Sequence, residues 1–148
     1  MIKLRRVRHG QKGIFFWMVQ EGDLPPPKAA ETLGIKVLNI DESEGSIELS
    51  FEATEAFTNP VGNVQGGFLA AMLDDTMGPA LAATLKEGEF APTLSLNVNF
   101  HAPAKVGVLI GRGCVVRRGG QVCFLSGELE QGGHVIATAT ATALVRKP

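Results

Sequence analysis

Residues 62–82, GNVQGGFLAAMLDDTMGPALA, form the longest apolar stretch of this chain and set its architecture. From Phe68 onward the stretch is dominated by Leu, Ala and Met, which favour a helix over a strand. Because apolar residues occupy nearly every face of that helix, we predict a central, buried helix over 68–85. Pro79 has no N–H to bond the carbonyl four residues back, so the first helical piece is expected to kink or end there.

Around this helix the sequence alternates between apolar and polar residues with the period of a β-strand. Gly119-Gly120 and Gly132-Gly133 stand where short hairpins need glycine. A single helix that is apolar all round needs a sheet to wrap it. We therefore predict an α+β, single-domain hot-dog fold, with an antiparallel sheet of five to six strands wrapped around a long central helix. The predicted strands are 33–41, 46–54, 93–101, 106–117, 121–130 and 134–145.

The composition is typical of a soluble globular domain. Of 148 residues, 45% are hydrophobic and 20% are charged, and the net charge is −1. This charge argues against nucleic acid as a partner, and no segment approaches the roughly 20 apolar residues of a membrane span. A cytoplasmic protein is expected, since no signal-peptide cleavage site follows the first apolar run. Cys114 and Cys123 are too few for a disulfide scaffold, and even if they face each other across a hairpin the compartment argues against a bridge.

The first residues of the chain differ from the rest in charge. Five of the fourteen basic residues fall within the first twelve positions, which predicts either a solvated start or a contact with a polyanion. A short helix is predicted over 14–22, and the three prolines at 25–27 then force an extended stretch. The aromatic cluster Phe15–Trp17 is expected either to cover a pocket or to pack against the outside of the sheet. The five basic residues are Lys3, Arg5, Arg6, Arg8 and Lys12.

Two adjacent carboxylates, Asp74 and Asp75, are the only charges between positions 56 and 85. A carboxylate in an apolar segment is costly to desolvate, so either both face water or at least one is placed for chemistry. One step along a helix turns about 100°, so both are not expected to point into one small site. Asp75 is expected to face a polar partner or water near Pro79. If the two acids are close and dry, repulsion raises one pKa, and Asp75 could then tune Asp74.

Three segments resemble the PaaI-like branch of the hot-dog acyl-CoA thioesterases: NPVGNVQGGFLAAMLDD, PTLSLNVNFHAPAKVG and GHVIATATATALV. The resemblance covers roughly residues 33–146. It implies a homodimer or homotetramer that hydrolyses acyl-CoA thioesters without metal or cofactor. On this basis we divide the chain into residues 1–30, a basic segment with a short helix and a Pro-rich stretch, and residues 31–148, the hot-dog thioesterase domain.

The family pattern is an asparagine, then His-Gly-Gly, an apolar run, and an acid eight residues after the first glycine. Gln65 stands where most members carry the histidine. Glutamine can replace a histidine that only positions the loop and the water, but not one that moves a proton. Thr93 corresponds to a serine or threonine that helps hold the attacking water in members of the family. Matched by position, the resemblance implies a catalytic set of Asn59, Gln65, Gly66, Gly67, Asp74 and Thr93.

The chemistry of this set follows from its positions on the helix. Gly66 and Gly67 open the helix, so their N–H groups lack acceptors within it and suit a developing oxyanion, although the pair could merely make the turn. Asp74 could act as general base or as nucleophile. Eight residues rise about 12 Å along a helix, which is too far for Gly66 and Asp74 of one chain to act on one carbonyl. We therefore predict a shared active site at a two-fold interface.

Coenzyme A carries phosphates, so basic residues should line the entrance of the site. Lys105, Arg117 and Arg118 are the candidates, with Phe68 as a further substrate-binding residue; a solvated hairpin tip accounts for the arginines equally well. Two rival functions remain. A hydroxyacyl-thioester dehydratase would need a histidine near the helix start, which is absent, whereas Gln65 keeps open a non-catalytic acyl-CoA sensor. The apolar helix favours an aliphatic or aryl acyl group.

Overall fold

The computed structural model describes residues 14–147. Its helices are α1 (Ile14–Gln20), α2 (Lys28–Leu33) and α3 (Gly66–Ala82), with a 3₁₀ turn at Glu55–Phe57. Its strands are β1 (Lys36–Asp41), β2 (Ser46–Ala53), β3 (Thr93–Phe100), β4 (Gly107–Arg118), β5 (Val122–Gln131) and β6 (His134–Leu144). All six form one antiparallel sheet in the order β1-β2-β4-β5-β6-β3, with α3 packed against it. The predicted hot-dog plan is confirmed.

The core lies between α3 and the sheet, and small residues bring the two close together. Gly111 and Gly113 on β4 face the middle of α3, where a Cβ on Gly111 would lie 2.5 Å from Thr76 Oγ1. Only glycine permits this approach. Thr76 is fully buried, and its hydroxyl donates to the Met72 carbonyl at 2.7 Å. The fully buried core side chains include Leu49, Phe51, Met72, Leu73, Met77, Leu81, Leu109 and Leu129.

Of the two outcomes predicted at Pro79, a kink or the end of the helix, the second is wrong, since α3 runs without interruption from Gly66 to Ala82. A proline inside a helix costs about 3 kcal/mol. Met77, Ala80 and Leu81 flank the proline and are buried, and burial of a large apolar side chain contributes roughly 1.5–3 kcal/mol. Packing of the second half of α3 therefore offsets the missing hydrogen bond.

Other boundaries also differ from the predictions. Leu33 was expected in a strand, but it ends α2, and Gly34 closes that helix in the left-handed conformation at φ 65°. The strand therefore begins only at Lys36.

The two cysteines do not face each other, because Cys114 pairs with Ser126 and Cys123 with Arg118 across the β4–β5 hairpin. The glycines at 132–133 have φ of 59° and 83°, as a two-residue type I′ hairpin requires.

Strand β3 forms one edge of the sheet, with β6 on its only paired side in the part of the chain that the structure describes. Leu96 and Val98 on β3 pack against the core, as the alternation predicted. At its two ends, however, Leu94 is 57% and Phe100 55% exposed. A bulge between Thr93 and Ser95 interrupts the alternation of inward and outward side chains at Leu94. The edge strand thus leaves apolar side chains uncovered.

None of the helices within residues 14–147 is long and apolar enough to cross a membrane.

Candidate active site

Asp74 lies on the exposed side of α3, where it meets the start of β3. The Thr93 hydroxyl donates a hydrogen bond to Asp74 Oδ1 at 2.9 Å. Nineteen residues separate the two in sequence, and packing of β3 alongside α3 brings them together. The bond fixes one carboxylate oxygen and leaves Oδ2 available to another partner.

Asp75, the next residue, is half-buried, unlike its neighbour. Burial, the larger cause, and the adjacent Asp74 carboxylate together raise the pKa of Asp75 from 3.8 to about 6. This is the case in which one acid is partly desolvated beside another, and the acid whose pKa rises is Asp75.

Both aspartates line a cavity of about 1020 Å³ between α1, α2, the start of β1, the second half of α3 and residues 88–93. The expectation that both do not point into one small site stays a prediction, because this cavity is large enough to span the turn of about 100° between them. Thr93 and Pro79 also line it. Among residues 14–147 no group of His, Cys, Asp or Glu side chains is arranged to hold a metal ion. The apolar lining includes Phe16, Leu24, Ile35, Val37, Leu49, Leu85 and Phe90.

Helix α1 lies over this cavity. The Trp17 indole N–H donates to the Ala83 carbonyl at 3.3 Å, just beyond the end of α3. Phe16 meets Trp17 edge to face with ring centroids 5.3 Å apart. Phe15, Phe16, Met18 and Val19 all line the cavity. Of the two placements considered for the aromatic cluster, the structure shows the one that covers a pocket.

The start of α3 carries the second group of predicted site residues. Gln65 is exposed and precedes the helix; its N–H donates to the Phe57 carbonyl at 2.8 Å, and its carbonyl accepts from Phe68 N at 3.0 Å. The N–H groups of Gly66 and Gly67 find no acceptor among the described residues. They are therefore free hydrogen-bond donors at the positive end of the helix dipole.

The loop before α3 is shaped by Asn59. Its side-chain oxygen accepts from the backbone N–H groups of Val61 and Asn63, each at 3.1 Å. Lys105 Nζ donates to Asn63 Oδ1 at 2.9 Å, so the lysine lies beside the same loop. These contacts fix the conformation of the loop that leads to Gly66.

Two aromatic rings pack at the first turn of α3. Phe68 stacks on Phe57 with centroids 4.3 Å apart, and it packs against the core. Phe100, at the far end of β3, lies over Gly66, where a Cβ would come within 3.1 Å of its ring. Strand β3 therefore runs opposite to α3, with Thr93 near Asp74 and Phe100 near Gly66.

One chain keeps the predicted site residues in separate groups. Gly66 and Asp74 are eight residues apart, a rise of about 12 Å along the helix. Arg118 lies beyond the other end of α3, where it pairs with Glu89 at 3.5 Å and bonds Thr84. Arg117 is exposed beside it. The phosphate-binding candidates are thus divided between the two ends of the helix, with Lys105 at the start.

Sequence reasoning missed much of the cavity wall. Leu24, Pro26 and Pro27 line the cavity, although the Pro-rich stretch carried only the prediction of an extended linker. Residues 88–91 also line it, and they lie between elements where no periodicity signals burial. The only indication in the sequence was the apolar character of α1.

The chain is similar to known sequences and solved structures over most of its length. The sequence model of the thioesterase superfamily matches residues 61–138. A phenylacetic acid degradation-related protein from Ralstonia eutropha JMP134 is 47% identical with a TM-score of 0.86, over 88% of this chain and 98% of that one. The E. coli PaaI protein, from the phenylacetic acid degradation operon, is 21% identical with a TM-score of 0.76, over 87% and 91%. Human acyl-coenzyme A thioesterase 13 is 25% identical over 95 residues, 64% of this chain and 67% of that protein.

Proposed function

The chain belongs to the thioesterase superfamily and is a thioester hydrolase, and from this premise we propose that it splits an acyl-CoA into a free acid and coenzyme A. The observation that carries the proposal is the Asp74 carboxylate, held by Thr93 at the wall of a large apolar cavity. A carboxylate there can meet the thioester carbonyl while the acyl group lies in the cavity.

Asp74 has two possible roles in this proposal. As general base, its free oxygen takes a proton from water, whose oxygen then attacks the carbonyl carbon. As nucleophile, the same oxygen attacks and forms an anhydride that water later opens. In either case the C–S bond breaks, and the CoA sulfur leaves and takes up a proton. Thr93 orients the carboxylate through Oδ1.

Gly66 and Gly67 supply the oxyanion site in this mechanism. Their unpaired N–H groups suit the negative charge that develops on the thioester oxygen, and the helix dipole adds to that stabilisation. We assign Gln65 and Asn59 a positioning role: Asn59 shapes the loop, and the exposed Gln65 carboxamide can hold water by hydrogen bonds. Glutamine does not titrate, so the proton transfers fall to Asp74.

The site is proposed to be shared between two copies of the chain. Strand β3 presents an unpaired edge in residues 14–147, and it exposes Leu94 and Phe100. Such an edge is a template for pairing with another strand. Antiparallel pairing of two β3 strands about a two-fold axis would continue the sheet and cover these side chains.

That pairing brings the two groups of site residues together. In an antiparallel β3 pair, the Thr93 end of one protomer meets the Phe100 end of the other. Within each chain Thr93 bonds Asp74, and Phe100 lies over Gly66. The dimer therefore places Asp74 of one copy near Gly66 of its partner, which removes the separation of about 12 Å within one chain.

Coenzyme A would be held by basic groups around this shared site. Lys105 lies beside the loop that leads to Gly66. Arg118 pairs with Glu89, which lines the cavity, and Arg117 next to it is exposed. These side chains are proposed to bind the CoA phosphates, because guanidinium and ammonium groups form charge-assisted hydrogen bonds to them.

The proposal is tested by thiol release from a panel of acyl-CoAs. Wild type is expected to release CoA from at least one, and Asp74→Asn to lose about 10³-fold in kcat, within the range for a catalytic acid or base. Glu87→Gln is the matched control: Glu87 is exposed, and the substitution removes one negative charge without touching the cavity. Equal rates in wild type and Asp74→Asn would remove Asp74 from the mechanism. Failure to release thiol from any acyl-CoA would overturn the substrate class.

A further inference from the structure

We propose that α1 sets the acyl specificity of the enzyme, by forming the wall of an acyl-binding cavity suited to a chain of roughly eight carbons or more. This inference rests on the proposed function, since it assigns an occupant to the cavity beside Asp74. It goes beyond that function, because α1 lies outside residues 61–138, which match the thioesterase superfamily.

The polarity of the cavity wall supports this assignment. Asp74, Asp75 and Thr93 lie together where α3 meets β3, and they mark the place of the carbonyl. The other charged groups on the wall are Glu31 and Lys36, which are exposed, and Glu89, which pairs with Arg118. Apart from these groups and Gln20 the side chains of the lining are apolar, so an acyl chain that starts at Asp74 finds a largely apolar path into the cavity.

The size of the cavity argues for a large acyl group. At about 1020 Å³ it lies at the upper end of the range for small-molecule sites, roughly 300–1,000 Å³. An acetyl or butyryl group would leave most of this space unfilled. A longer chain would bury further methylenes, and each contributes about 0.8 kcal/mol, equivalent to roughly fourfold in kcat/KM.

Helix α1 is positioned as a separate wall of the cavity. Five of its seven residues line the space. The Trp17 indole joins it to Ala83, and the Met18 carbonyl accepts from Asp23 N at 2.8 Å to close the helix. Phe16 is half-buried and packs against the core, so it is the α1 side chain best placed to contact an acyl chain.

The experiment measures kcat/KM for saturated acyl-CoAs of increasing length and for phenylacetyl-CoA. Wild type is expected to gain about fourfold per methylene from butyryl up to at least octanoyl. Phe16→Ala is expected to lose about tenfold or more on octanoyl and longer chains and to keep the butyryl rate within about twofold. Ala30→Phe, which adds a ring at the α2 wall of the cavity, should shift the optimum to shorter chains.

The control is Phe124→Ala, an exposed aromatic truncation on a strand that does not line the cavity. It should leave the length profile unchanged. An equal loss on all chain lengths in Phe16→Ala would show that α1 only supports the fold, and an unchanged profile would show that α1 does not contact the acyl group; either result overturns the inference. A wild-type optimum at acetyl- or phenylacetyl-CoA would also overturn it. Failure of the proposed function gives a different result, namely no hydrolysis of any acyl-CoA.

Discussion

The first turn and the middle of α3 present opposite chemical groups, hydrogen-bond donors at one and carboxylates at the other. Its first turn offers the Gly66 and Gly67 N–H donors, next to a polar loop. Its middle carries Asp74 and Asp75 at the wall of an apolar cavity. The dipole stabilises negative charge only within about the first turn. The aspartates lie beyond that turn, and burial rather than the dipole sets the pKa of Asp75.

Under the proposed mechanism, this difference leaves a single chain chemically incomplete. A donor pair without a nucleophile or base does not hydrolyse a thioester, and a carboxylate without an oxyanion site does so poorly. Both groups lie on one rigid helix, so no local motion closes the gap between them. In the proposed dimer, a second copy of the chain, related by a two-fold axis, supplies the missing half to each site.

The largest effect is expected from complementation between two inactive variants, which tests whether the donors and the carboxylate of one site come from different chains. Asp74→Asn removes the carboxylate, and Gly66→Val crowds the donors, since even a Cβ there lies 3.1 Å from Phe100. Each alone is expected to retain under about 1% of kcat, the scale of losing a catalytic group or an oxyanion donor. Purified mixed dimers should recover about half of wild-type activity, because each holds one intact site out of two.

The readout is thiol release from purified heterodimers carrying two different tags. A mixture of Asp74→Asn with Asp74→Ala is the matched control and should recover nothing, because both defects lie in the same half-site. No recovery in the first mixture, or full activity in a strictly monomeric wild type, would show that both halves act within one chain.

A smaller effect is expected from Asp75→Asn on stability. The folded-state pKa of Asp75, about 6, lies above its ordinary value of 3.8. The folded protein therefore binds the extra proton between these pH values, and wild-type stability falls as pH rises from about 4 to 6 and then levels off. The asparagine removes this cost and should stabilise the protein by about 2 kcal/mol at pH 8.

Urea unfolding at pH 4 and pH 8 measures this difference. Glu87→Gln is the control, because it removes one charge at an exposed position and should show no comparable gain at pH 8. A gain for Asp75→Asn that is equal at both pH values would contradict burial of an ionised Asp75 as its cause.

The smallest effect is expected on kcat when the hydrogen bond between Thr93 and Asp74 is removed. Thr93→Val removes the hydroxyl that donates to Asp74 Oδ1. A hydrogen bond to a charged group contributes roughly 1.5–3 kcal/mol, and exposure of this pair places the loss at the lower end, about tenfold in kcat. Thr93→Ser retains the donor and should keep kcat within about threefold of wild type. Equal losses in both variants would show that the methyl group, not the bond, matters.

The elements of the fold could be predicted because their signals are local. Residues 68–85 favour a helix by propensity, and strict alternation predicts strands on either side. The spacing of Gly66 and Asp74 also follows from sequence, since the rise of a helix per residue is constant. Leu33 was misassigned because the turn at Gly34 ends a short helix that carries no periodic pattern.

Sequence by itself therefore determined the helix, the strands, their antiparallel pairing and the axial distance between donor and carboxylate, whereas the order of the strands in the sheet came from the structure. Only tertiary structure decided which side chains are buried. It brought Thr93 to Asp74 across nineteen residues, kept α3 continuous through Pro79, raised the pKa of Asp75 and laid α1 over the cavity. The physical reason is that propensity and periodicity act between neighbours in sequence, whereas desolvation and side-chain contacts depend on what packs from far along the chain.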